Sequence, residues 1–125
     1  MFLDLHAHSK KKNVFAYGCH DMSDPFSTRE FPYLLSKLSE NDFLFSYCRF
    51  TRLTGRDTSQ KGCKEGTARV FLYDVLRIPN VFTIENSYCS AKNSVYHYDK
   101  ASYDLIGGDI LRAISLYFSP TFRSS

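Results

Sequence analysis

The residues best suited to chemistry are two histidines near the start of the chain. His6 and His8 lie in the stretch FLDLHAHSKKKNVFAYGC, separated by one residue. If one strand runs through both, their imidazoles project from the same face, because side-chain direction in a strand repeats every two residues. This spacing suits zinc, but a zinc site needs three or four ligands. A pair of surface histidines at the end of a strand is the alternative interpretation, and the spacing alone leaves both open.

A glutamate in an apolar strand adds to the metal interpretation. Glu85 ends the segment VFTIE, whose other members are mostly apolar. A half-buried carboxylate in such a strand needs a charged or hydrogen-bonding partner. The alternative is a solvent-facing residue on an amphipathic strand.

Basic residues suggest sites for anions. Arg69 follows a Gly-Thr-Ala turn and has the donor geometry that carboxylates and phosphates accept. The run Lys10-Lys11-Lys12 is typical of a solvated turn between strands, with a phosphate site as the alternative.

The elements that must position these residues follow from hydrophobic periodicity. Alternating side chains predict strands over residues 2–6, 13–17, 43–50 and 80–88. Helical spacing predicts helices over residues 28–39, 67–76 and 100–118, the first capped by Thr28. Residues 51–66 are expected to form a loop, and Gly107-Gly108 is expected to be a point of close helix packing. Strands alternating with helices predict an α/β fold.

The composition argues against several classes of protein. The chain has 125 residues with 43% hydrophobic side chains, which is enough for one domain with a buried core. A net charge of +3 with dispersed basic residues argues against nucleic-acid binding. No apolar run approaches the length that spans a bilayer, and the first residues lack the pattern of a signal peptide. The four cysteines show no CxxC spacing and are expected to be free thiols, as in a cytoplasmic protein.

Several of these motifs together resemble one known family. DLHAHSKKKNVFAYGC is similar to the segment that carries the last zinc ligand of the cytosolic carboxypeptidases, zinc metallocarboxypeptidases that remove glutamates from tubulin and other proteins. The similarity continues through KEGTARV and FTIENSYC to the closing helix, which together cover about residues 2–118.

The resemblance implies a role for each candidate residue. His6 is the zinc ligand, and His8 lies at the rim of the site. Glu85 is the general base, which takes a proton from water that zinc activates. Arg69 lines the specificity pocket and favours an acidic side chain. The implied partners are glutamate-rich protein C-termini, with tubulin as one possibility, and the implied location is the cytoplasm.

The chain also departs from the family pattern. The other two family ligands come from an HxxE motif upstream, and none of the four histidines here has a glutamate three residues later. We therefore expect the C-terminal half of a zinc-carboxypeptidase α/β/α fold, with an incomplete mixed sheet over residues 1–118 and a flexible tail over 119–125. The isolated chain is expected to be inactive. Two alternatives stay open: a non-catalytic half-domain that binds a partner, and a small histidine-based metal module.

Overall fold

The chain folds as a mixed α/β unit. The computed structural model describes residues 1–52, 68–92, 94, 95 and 97–123. Most of the predicted loop over residues 51–66 lies outside this part. The strands are β1 (Phe2–His8), β2 (Val14–His20), β3 (Arg49–Arg52) and β4 (Val81–Ser87). The helices are α1 (Glu30–Leu38), α2 (Ala68–Asp74), α3 (Lys100–Tyr117) and α4 (Pro120–Arg123), with a 3-10 turn over Phe45–Tyr47.

The four strands form one mixed sheet in the order β1-β4-β2-β3. β1 runs parallel to β4, β4 is antiparallel to β2, and β2 is parallel to β3. The parallel neighbours are far apart in sequence, as crossover connections require. The predicted α/β class with a mixed sheet is confirmed.

One face of the sheet carries the main core with α1 and α3. Phe82 of β4 stacks on Phe31 of α1 with ring centroids 5.6 Å apart, and Tyr117 of α3 meets Phe31 edge-on. The buried apolar stripe of α3 consists of Ile106, Ile110, Ala113 and Tyr117, as its 3.6-residue periodicity predicts. Asp99 caps this helix through a reciprocal pair of hydrogen bonds with Ser102. Among the helices of the described ranges, none has the length and apolar character needed to cross a bilayer.

The other face is covered at one end by α2. Arg69 of α2 reaches the end of β2, where it contacts the Gly18 carbonyl and the Cys19 thiol. Cys19 points to the side of the sheet opposite α1 and α3, because it alternates with Gly18, which faces Phe82, and shares a face with Phe15 and Tyr17. Helices thus lie on both sides of the sheet.

Two local predictions are wrong. The predicted strand over residues 43–50 is mostly irregular: Phe43 forms one bridge to Val14, a 3-10 turn follows, and β3 begins at Arg49. Apolar runs with aromatic residues suit a buried turn as well as a strand, so periodicity cannot separate them. Thr28 is buried but does not cap α1, whose N-cap is Arg29 without a side-chain hydrogen bond.

The glycines divide into two kinds. Close packing at Gly107 and Gly108 is wrong for the described structure, because a Cβ at either would meet nothing within 4 Å. Gly18 is the position that needs the missing side chain: a Cβ there would lie 2.8 Å from Phe50 Cδ1. The absence of a side chain at Gly18 therefore leaves room for the Phe50 ring of β3 to lie against β2.

Asn13 joins three segments just before β2. It is 2% exposed and has a φ of 68°, in the left-handed region. Its Nδ2 donates to the carbonyls of Asn41 and Asp42 at 3.1 and 3.2 Å, and its Oδ1 accepts from the Lys92 N–H at 2.7 Å. Its backbone N–H donates to Ser90 O, and its carbonyl accepts from the Ser87 N–H. Asparagine tolerates this backbone region better than most residues, and its amide supplies both donors and an acceptor.

Replacing Asn13 by alanine is expected to destabilise the fold strongly. Alanine removes three part-buried side-chain hydrogen bonds and strains the left-handed backbone. We expect a loss of about 3 kcal/mol in the free energy of unfolding, measured by urea denaturation. Asn13→Gly is the matched control, because it loses the same hydrogen bonds without the strain, and it should be about 1 kcal/mol more stable than Asn13→Ala. Equal stability of Asn13→Ala and the wild type would contradict the role of this residue.

Gly108→Ala and Gly18→Ala are expected to change stability in opposite directions. The first adds a methyl group to open space in a helix and should raise the free energy of unfolding by about 0.5–1 kcal/mol. The second pushes a methyl group into the Phe50 ring and should lower it. Thermal unfolding of the two variants side by side measures this difference. A higher melting temperature for Gly18→Ala would show that the close contact between the Phe50 ring and Gly18 is misassigned.

Candidate active site

The register of β1, β4 and β2 places His6 and Glu85 next to each other. Glu85 is the partner of His6 on one side and of Phe15 on the other. Partners in register project from the same face, and neighbouring strands lie about 4.8 Å apart. Both residues come near the carboxyl ends of parallel strands, where α/β sheets commonly bind ligands. This is the juxtaposition that the resemblance predicts, although the roles of the two residues stay predictions.

Asp4 orients the His6 imidazole. Its Oδ2 lies 2.9 Å from His6 Nε2, and the two side chains are 41% and 51% exposed. A carboxylate oxygen only accepts, so Nε2 carries the proton of this hydrogen bond. In the neutral ring, Nδ1 is then left with the free lone pair that a metal or a proton donor can use.

His8 lies on the same face, one step further along β1. Its ring packs edge-on against Phe15 with centroids 5.5 Å apart. Its Nε2 is buried without a hydrogen-bond partner among the described residues. His8 thus packs against Phe15, the residue on β2 that lies next to Glu85. His8 therefore lies beside His6 on the same strand and does not face His6 from the other side of a common site.

Arg69 lies near the carboxyl end of β2, away from Glu85 and His6. The side chain is buried, and Nη1 donates to Gly18 O at 2.9 Å. Its Nε has no hydrogen-bond partner within the described ranges. Gly18 is three residues beyond Phe15 on β2, which is roughly 10 Å along the strand. None of the hydrogen bonds between described residues joins Arg69 to Glu85 or His6, so its place in the pocket stays a prediction.

The described residues do not by themselves fit zinc. A catalytic zinc site uses three protein ligands and an open position. Within residues 1–52, 68–92, 94, 95 and 97–123, no group of three or more His, Cys, Asp or Glu side chains could hold a metal ion. The oriented imidazole of His6 is a suitable single ligand. The chemistry that these residues support on their own is binding and proton transfer by Glu85.

The role of Asp4 was not predicted, although the sequence contained a signal for it. A carboxylate two residues before a histidine in one strand shares its face. The hydrogen bond itself depends on the rotamers of both side chains, which the spacing does not determine.

Comparison with known proteins supplies the family. No family model matches the chain. Cytosolic carboxypeptidase 3 of Bos taurus is 42% identical over 96 residues, which is 73% of this chain. Cytosolic carboxypeptidase 2 of Mus musculus is 36% identical over 90 residues, and its Homo sapiens counterpart is 33% identical, each over 70% of this chain.

The matched segments are short parts of the relatives. Each covers 9% of the relative's own length. The identity of 42% over 73% of this chain nevertheless shows the family. This chain belongs to the cytosolic carboxypeptidase family.

Proposed function

We propose that this chain carries part of the active site of a cytoplasmic zinc metallocarboxypeptidase that removes C-terminal glutamates from proteins, with tubulin as a candidate substrate. The observation that carries the proposal is the pairing of His6 with Glu85 in a family whose named members are carboxypeptidases. In the proposed site His6 is one of three zinc ligands, and the other two come from residues outside this chain. Zinc, when bound, polarises the scissile carbonyl and the attacking water.

The chain's own residues have distinct tasks. Glu85 accepts the proton from the attacking water and passes it to the leaving amine, as a general base and then a general acid. Asp4 holds the His6 ring with Nδ1 available. Arg69 selects an acidic side chain at the cleaved residue through its guanidinium. Because one imidazole is a weak zinc site, the isolated chain is expected to be inactive.

Activity is expected only when the missing ligands are supplied. The purified chain should release no glutamate from glutamate-ended peptides, whereas fusion to the preceding half of a related peptidase domain should restore zinc-dependent release. Glu85→Gln in the fused enzyme should lower kcat at least about 100-fold, because general-base catalysis contributes that much. Glu40→Gln, an exposed change outside the site, is the matched control and should keep wild-type activity. Zinc-dependent glutamate release by the chain alone, abolished by Glu85→Gln, would overturn the proposed need for outside ligands.

Arg69→Leu is expected to change substrate preference. In the fused enzyme, the ratio of kcat/KM for glutamate-ended to leucine-ended peptides should fall about tenfold or more, because the acidic side chain loses its charged partner. The ratio is independent of how much enzyme is folded, which matters because Arg69 is also buried against Gly18. An unchanged ratio with lowered activity on both peptides would assign Arg69 a structural role alone.

A non-catalytic binding fragment is the second candidate. β1 has a neighbour on one side within the described sheet, and Leu5 on this strand is 64% exposed. An exposed strand edge with an apolar side chain favours pairing with another chain. If the fused protein stays inactive with zinc while the 125-residue chain binds a partner strand through β1, this second function replaces the first.

A further inference from the structure

Five cationic side chains surround one depression beside the candidate site. The depression has a volume of about 360 Å³. Its lining residues are Lys10, Lys11, Lys12, Tyr47, Arg49 and Lys92, which we call the cationic pocket. No carboxylate is among these described lining residues, so the positive charges repel one another without internal compensation.

The charges of the cationic pocket are available to a ligand. The ion pairs found within the described ranges involve other cations, at Arg77, Lys100 and Arg112, and the His6 imidazole contacts Asp4. Lys11 Nζ lies 4.8 Å from the centre of the Phe15 ring, a contact that leaves its N–H donors free on the outer side. A bound anion would therefore offset repulsion without breaking an existing ion pair.

The cationic pocket is held by backbone contacts. Asn13 follows Lys12 directly, and its Oδ1 accepts the Lys92 N–H at 2.7 Å, which ties both sides of the depression together. Arg49 Nη1 donates to the carbonyls of Ser46 and Cys48 at 3.2 and 2.9 Å, which limits where its guanidinium can lie. Two of the walls are thus positioned before a ligand arrives, which lowers the entropy cost of binding.

The cationic pocket and the candidate site share one face of the sheet. Lys11 lies over Phe15, the register partner of Glu85. Arg49 is the register partner of Tyr17, which follows Phe15 on the same face. From β4, which carries Glu85, to β3, which carries Arg49, the distance is two strand spacings, about 10 Å. With the two-residue offset between Phe15 and Tyr17 along β2, Glu85 and Arg49 are about 12 Å apart, which an extended peptide covers with about four residues.

We propose that the cationic pocket binds the acidic side chains of a peptide substrate that lie on the amino-terminal side of the bond cleaved at Glu85. This inference rests on the proposed function for the direction of the peptide. Carboxylates fit better than phosphates, because the pocket offers separated ammonium groups and is not built on a helix N-terminus or a glycine-rich loop. Nucleic acid fits less well, because the net charge is only +3 and the five cations of the cationic pocket form a compact patch without the extended basic stripe that nucleic-acid binding usually needs.

Binding without catalysis tests the cationic pocket directly. A labelled hexaglutamate peptide is titrated with the 125-residue chain in the absence of zinc, and anisotropy gives the Kd. Lys10→Gln/Lys12→Gln should weaken binding about fivefold, as expected for two partly exposed charge pairs. Lys37→Gln/Lys100→Gln removes the same net charge elsewhere and should leave the Kd within about twofold. Equal weakening by both double variants, or equal binding of a hexaglutamine peptide, would contradict the proposal.

Competition separates the anion classes. Millimolar inorganic phosphate that displaces the peptide completely would assign the pocket to phosphate, and tighter binding of a single-stranded oligonucleotide of equal charge would assign it to nucleic acid. Either result overturns the proposal. Weak competition by both, with the peptide Kd rising as salt is added, supports it.

The fused enzyme provides a measurement that does not need the chain to fold alone. Lys10→Gln/Lys12→Gln should raise the KM for a glutamate-rich octapeptide about fivefold more than the KM for a dipeptide-length substrate, because only the long substrate reaches the pocket. Equal effects on both substrates would reject the pocket and leave the proposed function standing. Hexaglutamate binding by the cationic pocket together with an inactive fused enzyme would support the pocket as an acidic-peptide site and reject the proposed hydrolysis.

Discussion

The left-handed backbone of Asn13 is the constraint on which the functional face depends. This residue ends the lysine turn, directly precedes β2 and donates or accepts hydrogen bonds with the segments around Asn41 and Lys92. Its hydrogen bonds set where β2 starts, and the start of β2 sets the register that brings Phe15 beside Glu85. A shift of β2 by one residue would turn Phe15 away from Glu85, because side chains alternate. One buried amide therefore links the order of the sheet to the arrangement of the site.

The two faces of the sheet are specialised. One face is mostly apolar and packs against α1 and α3, with Phe82 stacked on Phe31. The other face is partly open and carries polar and aromatic residues, among them His6 and Glu85. Burial on the first face supplies much of the hydrophobic stabilisation, and Phe15 and Val81 on the second face are buried as well. The more exposed part of the second face can then hold groups that contribute little to stability but are suited to binding and proton transfer.

Outside the candidate site, burial changes the pKa of a thiol and of a phenol. Burial raises the pKa of the Cys48 thiol to about 11, against the opposing effect of the Ala16 N–H that points at its sulfur. Burial also raises the pKa of Tyr98, whose hydroxyl donates to Asp42 at 2.8 Å. Both groups stay neutral near pH 7, so they act as packing and hydrogen-bonding residues. The site residues differ, since His6 and Asp4 are about half exposed.

Two things could be predicted from the sequence alone. These are the types of the helices and strands with strong hydrophobic periodicity, and the family. The α3 stripe, the alternation of β1 and the segments around His6 and Glu85 are local patterns that survive without tertiary information. Tertiary structure decided what periodicity does not encode: the turn at Phe45–Tyr47 where a strand was expected, the open space at Gly107, and the hydrogen bond from His6 to Asp4. The same is true of the cationic pocket, which joins lysines of one turn to Arg49 and Lys92. These features depend on contacts between residues distant in sequence or on rotamers, and neither is determined by spacing along the chain.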